Sequence, residues 1–420
     1  MSPPERQGHQ RIGRRAVLSS AGALSMGALA GCMQPLLEGD SDDGDPTDGS
    51  TGGSNGESDG DSTDDDPAGP ESVSLEETWR GSEIDAFDEP FHPRFIRSVD
   101  ETLYITGQTS IVEFDPSTGT QQRVFDLELV EYGEHGEFRE RVLDCTVFDD
   151  KLYVTTEFDD DEVASRVHKY GTSTEREWTY ELEDSDHWIN AIEVTSSGVY
   201  VGASTSGSDA EGSFTVLNQQ GNSEFYEYWP PDDDLSSFRD FVTHDRFLYI
   251  GTLGPPLVFD MEARTLLNTQ EEFGISPGSN FTLVDDILYA APSSNLRALD
   301  LDAREELYDV SVERHTRPPA VLDDRVIIGN STGLYGHDRS TGEELWYART
   351  ADGIEDSPAV IDGVAFGVDD HEMLYGVDVE TGDLLYDDDA PVSRADQTVS
   401  IGSELVLAGE LLKSYSVELD

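Results

Sequence analysis

Two cysteines, nine histidines and 89 carboxylate side chains are the residues of this chain that can attack, ligate a metal or move a proton. A thiol is useful chemically only where its neighbours favour the thiolate. Cys145 lies in Val142-Leu143-Asp144-Cys145-Thr146-Val147, an apolar strand pattern with no histidine or basic residue beside it, so it reads as a small core residue. The histidines are scattered and none forms a zinc-type spaced pair. The acid runs Asp159-Asp160-Asp161-Glu162 and Asp232-Asp233-Asp234 lack the ordered ligand-and-glycine spacing of a calcium loop. Neither a glycine-rich phosphate loop nor a nucleophile elbow is present. The expectation is therefore no catalytic residue and no metal site.

The other cysteine has a different setting. Gly13-Arg14-Arg15-Ala16-Val17-Leu18 puts paired arginines, Arg14 and Arg15, directly before an uncharged apolar run, Ala16 to Ala30. Fifteen residues fall short of the ~20 that span a bilayer and suit the apolar region of a signal peptide. The segment resembles a twin-arginine export signal. Leu29-Ala30-Gly31-Cys32 follows and resembles a lipobox, in which the cysteine thiol takes lipid and the preceding peptide is removed. With Cys32 consumed, no intrachain disulfide can form. From Glu38 to Pro70 the chain is almost wholly Asp, Ser, Gly, Thr, Glu and Pro, with no apolar surface to bury. Such a tether reaches roughly 30 Å. The organisation expected is a signal peptide over 1–31, an anchored acidic linker over 32–70 and one folded domain over 71–420. The expected location is the outer face of the cytoplasmic membrane, held there by N-terminal lipid.

A formal net charge of -63 cannot come from the linker alone, because acids occur in every part of the chain. Only three basic residues are lysines, Lys151, Lys169 and Lys413. Acid-rich, lysine-poor surfaces stay soluble at molar salt, where the Debye length shrinks to about 3 Å, and the composition reads as halophilic. The same balance argues against nucleic acid as a partner, since phosphate neutralisation needs a basic face.

The folded part repeats one phrase eight times. Its clearest copies are Leu322 to Tyr347 and Ile361 to Tyr386, each an acidic turn, an apolar strand, a strand ending in Asp, a tight turn and a last strand. Equivalent positions fall at Tyr104, Tyr153, Tyr200, Tyr249, Tyr289, Ile327, Ala365 and Val406, spaced by 49, 47, 49, 40, 38, 38 and 41 residues. A period near forty with four short strands per unit predicts an all-β, eight-bladed β-propeller of four-stranded antiparallel blades. The eighth unit, Ile401 to Asp420, supplies only three strands. Val73-Ser74-Leu75-Glu76-Glu77-Thr78-Trp79 matches the fourth-strand phrase Gly342-Glu343-Glu344-Leu345-Trp346, so an N-terminal strand should complete the last blade and leave no open edge.

Asp338-Arg339-Ser340-Thr341-Gly342-Glu343-Glu344-Leu345-Trp346 and Asp378-Val379-Glu380-Thr381-Gly382-Asp383-Leu384-Leu385-Tyr386 resemble the blade motif of quinoprotein-type (PQQ-like) propellers. The resemblance covers roughly Ser72 to Asp420. It implies that a small residue, an aspartate, a threonine-glycine turn and a tryptophan lock adjacent blades. The docking aromatics are Trp178 and Trp346, with Tyr308 and Tyr386 as substitutes. The family divides into quinone-dependent alcohol and glucose dehydrogenases and non-catalytic lipoproteins such as the outer-membrane assembly component. The alcohol dehydrogenases carry a vicinal cysteine disulfide under the quinone, whereas this chain has one thiol left. The expectation is a non-catalytic binding or scaffold module without cofactor. The alternative is an oxidoreductase using pyrroloquinoline quinone with calcium, or a degenerate relative.

Strand alternation puts the loops between second and third strands, and those between blades, on one face. The long insertions are all of these kinds: Glu131 to Arg141, Glu157 to Arg166, Ser204 to Gly212 and Pro230 to Arg239. A protein or small-molecule ligand is expected on that face, over blades one to four, with the protein a monomer. Aligning the units puts Arg94, Leu143, Asn190, Arg239, Ser279, Arg317, Asp356 and Asp396 at the entry to the innermost strands, around the channel mouth. Of these, Arg94, Asn190, Arg239 and Arg317 are the candidate ligand-binding residues, able to receive a carboxylate or phosphate.

Overall fold

The computed structural model describes residues 72–80, 95–99, 102–107, 110–117, 119–127, 129–131, 137–158, 164–183, 187–205, 211–230, 238–252, 257–268, 280–292, 294–312, 317–354, 357–369, 371–392, 397–409 and 412–419. The export signal, Arg14, Arg15, Cys32 and the linker lie outside these residues, as do Arg94, Ser279, Asp356 and Asp396. The described secondary structure is all strand, in eight separate antiparallel sheets.

Each sheet is one blade, numbered here in chain order with strands counted outward from the channel. Blade 3 shows the plan: Trp188–Thr195, Gly198–Ser204, Gly212–Leu217 and Ser223–Trp229, paired in that order. Its two middle strands are buried throughout, and its outermost is largely exposed up to the buried Trp229. The tyrosine and aliphatic markers of the forty-residue period are all buried, from Tyr104 at 4% exposure to Ile327, Ala365 and Val406 at 0%. They mark the second strand because that strand is covered on both faces.

The apolar interior is not one core. Eight clusters each join two consecutive blades, and the ring closes where Trp79, Ile401 and Val406 of the last blade pack with Ile96, Leu103 and Phe114 of the first. Closure is by strand pairing between the chain's ends: Val73–Arg80 pairs antiparallel with Leu412–Leu419, Val73 opposite Leu419, as the fourth strand of blade 8. The predicted clasp and the count of eight both hold.

Between blades, an aromatic from one outer strand rests on the turn of the next. Gly382 has φ +78°, and a Cβ added there would lie 2.7 Å from Cβ of Trp346; Gly342, at φ +73°, faces Tyr308 in the same way. Glycine is required on both counts, conformation and space. Trp346 Nε1 donates to the Val379 carbonyl at 2.8 Å, and Trp178 Nε1 to that of Gln219 at 3.0 Å. Asp338 and Asp378 shape these turns by accepting from the backbone N–H groups two and three residues on. The resemblance anticipated this lock. Pattern reading did not anticipate that Leu129–Glu131 folds back on the start of Glu137–Phe148, giving blade 2 a fifth strand on the long-loop face.

Candidate functional site

The innermost strands of blades 2, 3 and 4 share an irregularity. Val142 pairs with Thr156 and Asp144 with Thr155; Ile189 with Ala203 and Ala191 with Gly202; Phe238 with Thr252 and Asp240 with Gly251. One residue in each strand is thus extra to the ladder: Leu143, Asn190 and Arg239. A bulge of this kind bends the strand and re-aims the bulged side chain. All three are positions that the repeat alignment places at the channel mouth. Leu143 packs against the core between blades 2 and 3, while Asn190 and Arg239 are exposed.

Asn190 and Arg239 open onto a cavity of about 240 Å³, lined also by Phe238, Asp240, Asn280, Arg317 and Pro318. The structure therefore brings three predicted residues, Asn190, Arg239 and Arg317, around one space. Ser204 Oγ donates to Asn190 Oδ1 at 2.6 Å, which commits the amide oxygen and leaves the NH2 as the group able to donate outward. Asp240 accepts from the Asn280 backbone N–H at 2.6 Å. Burial pushes its carboxyl above the usual range, against those backbone donors and the adjacent Arg239 charge. Asn280 holds φ +60° just before its strand and donates from Nδ2 to the Ala291 carbonyl at 3.1 Å. The rim thus carries two guanidinium groups and an amide donor, over a carboxyl whose acceptor sites are partly taken.

A second group of charges lies further along the same innermost strands. Arg97 of blade 1 reaches Asp144 of blade 2, Nη1 lying 3.0 and 3.2 Å from the two carboxylate oxygens. Asp144 also accepts from the Cys145 N–H at 2.7 Å, yet burial still raises its pKa. Glu193 of blade 3 accepts from Thr243 Oγ1 at 3.4 Å. Burial raises this carboxyl to about 7, Arg97 and Thr243 opposing and the Asp144 charge adding to the rise. Cys145 is 1% exposed, and burial with the Asp144 charge pushes its thiol far up, which disfavours the thiolate. Asp240, Asn280, Arg97, Asp144 and Glu193 escape sequence reading. In a chain with 89 acids, only the blade register singles out these few.

Residues 292–415 match the family model described as outer membrane protein assembly factor BamB. The crystal structure of BamB from Moraxella catarrhalis superposes with a TM-score of 0.60 at 14% identity, covering 82% of this chain and 98% of that one. The chain has the fold of a PQQ-like β-propeller. The computationally designed Ika8 protein is similar to this propeller at TM-score 0.58 and 16% identity, over 83% of this chain and 100% of the designed one. A europium-containing methanol dehydrogenase is similar at 0.55 and 11%, over 79% and 84%. Among curated proteins, none matches the sequence.

A quinone in the propeller would need an open aromatic face or a stacked disulfide beneath it. Phe238, the aromatic of the cavity lining, is 1% exposed and turned into the core between blades 3 and 4. Among the described residues Cys145 is the one cysteine, so it has no cysteine beside it to form a stacked disulfide. The lining of this cavity offers a quinone no face to stack on.

Proposed function

We propose that this propeller is an exported, lipid-anchored binding module whose channel mouth takes a carboxylate or phosphate group of a protein or small ligand. The observation that carries the reading is the convergence of Asn190, Arg239 and Arg317 on one cavity, two of them on bulged strand entries. Paired guanidinium groups hold an oxyanion through directional hydrogen bonds, which survive salt better than charge alone. The long insertions that the sequence carries in blades one to four are expected on this face, where they would give a protein partner its surface. Export through the Arg14-Arg15 signal and lipid on Cys32 would put the mouth outside the cytoplasmic membrane, consistent with a matched family described as an outer membrane assembly factor. Replacing Cys32 with Ser should release the protein from membranes; full retention would refute the anchor.

The binding reading is tested by calorimetric titration of citrate and of inorganic phosphate in molar KCl. The intact protein should bind, and the Arg239→Gln/Arg317→Gln variant should lose at least ten-fold in affinity. Equal affinity in both would overturn it.

The second reading is quinone-dependent oxidoreduction, favoured by the fold shared with the methanol dehydrogenase. Absorbance and redox cycling after adding pyrroloquinoline quinone and calcium separate the two.

A further inference from the structure

On the face opposite the mouth, His244 ends the innermost strand of blade 4, Phe238–His244, and Asp245 follows in its tight turn. Two turns of blade 5 meet them. Asp286 comes from the turn between Phe281–Val284 and Ile287–Ala290, and Asp302 from the turn before Glu305–Ser311. One donor atom from each of His244, Asp245 and Asp302 lies within 4.8 Å of the other two. His244 Nε2 is 3.1 Å from Asp286 Oδ1 and 3.7 Å from Asp302 Oδ1. An ion about 2.1 Å from its donors needs them roughly 3 to 4 Å apart.

Clustered carboxylates alone would mean little in so acidic a protein. Here an imidazole closes the group, the only such grouping among the described residues. Its ring is 9% exposed, seated between blades, while Asp286 and Asp302 are about two-thirds exposed. The nitrogen donor is therefore fixed by packing and the oxygen donors are free to close on an ion. Arg246, from the same turn, is directed to Asp260 at 3.3 Å.

We propose that His244, Asp245 and Asp302 bind a divalent first-row transition ion that ties blade 4 to blade 5. One imidazole with carboxylates selects such an ion over magnesium and calcium, which prefer all-oxygen shells. Ligation uses the Nε2 lone pair, so the present hydrogen bond to Asp286 gives way and Asp286 is left at the edge of the site. The site is independent of the channel mouth, being built from turns on the other face.

The test is cobalt titration of the untagged protein in molar KCl, read by visible absorption, with zinc added in parallel melting experiments. One equivalent of cobalt should produce a saturable ligand-field band, and zinc should raise the melting midpoint, as a ligand of the folded state must. Asp302→Asn, on an exposed turn, should weaken cobalt at least ten-fold without loss of fold, and His244→Gln should do the same. Glu262→Gln, an exposed acid on a neighbouring turn outside the donor set, should bind as the parent does. No saturable band in the parent, parental affinity in Asp302→Asn, or magnesium competing at concentrations equal to cobalt would each overturn the proposal.

Discussion

Glu193 is the residue at which burial and charge compete most openly. Its carboxyl titrates near 7 because the channel wall desolvates it more than Arg97 and Thr243 stabilise its charge. In the unfolded chain it titrates near 4.5, so between these values the folded protein holds a proton that the unfolded chain has released. Stability is then full below about 4.5 and falls as pH rises through 7. Replacing Glu193 with Gln should remove that slope and leave the variant more stable above pH 7, by on the order of 1 to 3 kcal/mol. Asp144 and Asp240 are raised in the same direction and persist in both proteins, so the difference belongs to Glu193. Urea unfolding from pH 5 to 8 in molar KCl checks it, and parallel stability curves would refute it. None of this is visible in the sequence, because Glu193 meets its partners from blades 1, 2 and 4 only once the ring has closed.

At the scale of strands, repetition made the fold readable. The period places eight second strands, and the match between the segment ending at Trp79 and the one ending at Trp346 places the clasp. Bulges left no such trace. Their inserted residues, Leu143, Asn190 and Arg239, share no side-chain chemistry, so alignment finds their position but not why they project. The fifth strand of blade 2 is hidden similarly, inside what reads as an insertion. Deleting residues 72–79 removes buried Val73 and Trp79 and bares the edge of Leu412–Leu419. Losing one buried tryptophan typically costs about 3 to 5 kcal/mol, so the whole ring should unfold at lower temperature in a single transition. An unchanged melting midpoint would mean that the clasp bears no load.

The whole molecule carries a net charge of -63, and its three lysines are all held in ion pairs, with Asp149, Glu177 and Glu77. The remaining 23 basic residues, all arginines, offset only a fraction of the 89 acids. Their mutual repulsion acts over about 10 Å in 0.1 M salt and about 3 Å at 1 M, so the melting midpoint should rise strongly with KCl. A neutral osmolyte strengthens apolar burial without screening charge and should restore only part of the loss on dilution. A midpoint independent of salt would show that the acidity serves another purpose. Under the proposed function, a mouth edged by Arg239 and Arg317 would give an anion directed donors against this field. The most direct measurement is a crystal structure of the folded head grown at high salt and soaked with citrate. The account predicts a carboxylate between Arg239 and Arg317, within hydrogen-bond distance of the Asn190 amide, and no such density in the double glutamine variant. Citrate bound elsewhere, or the same density in both proteins, would contradict it.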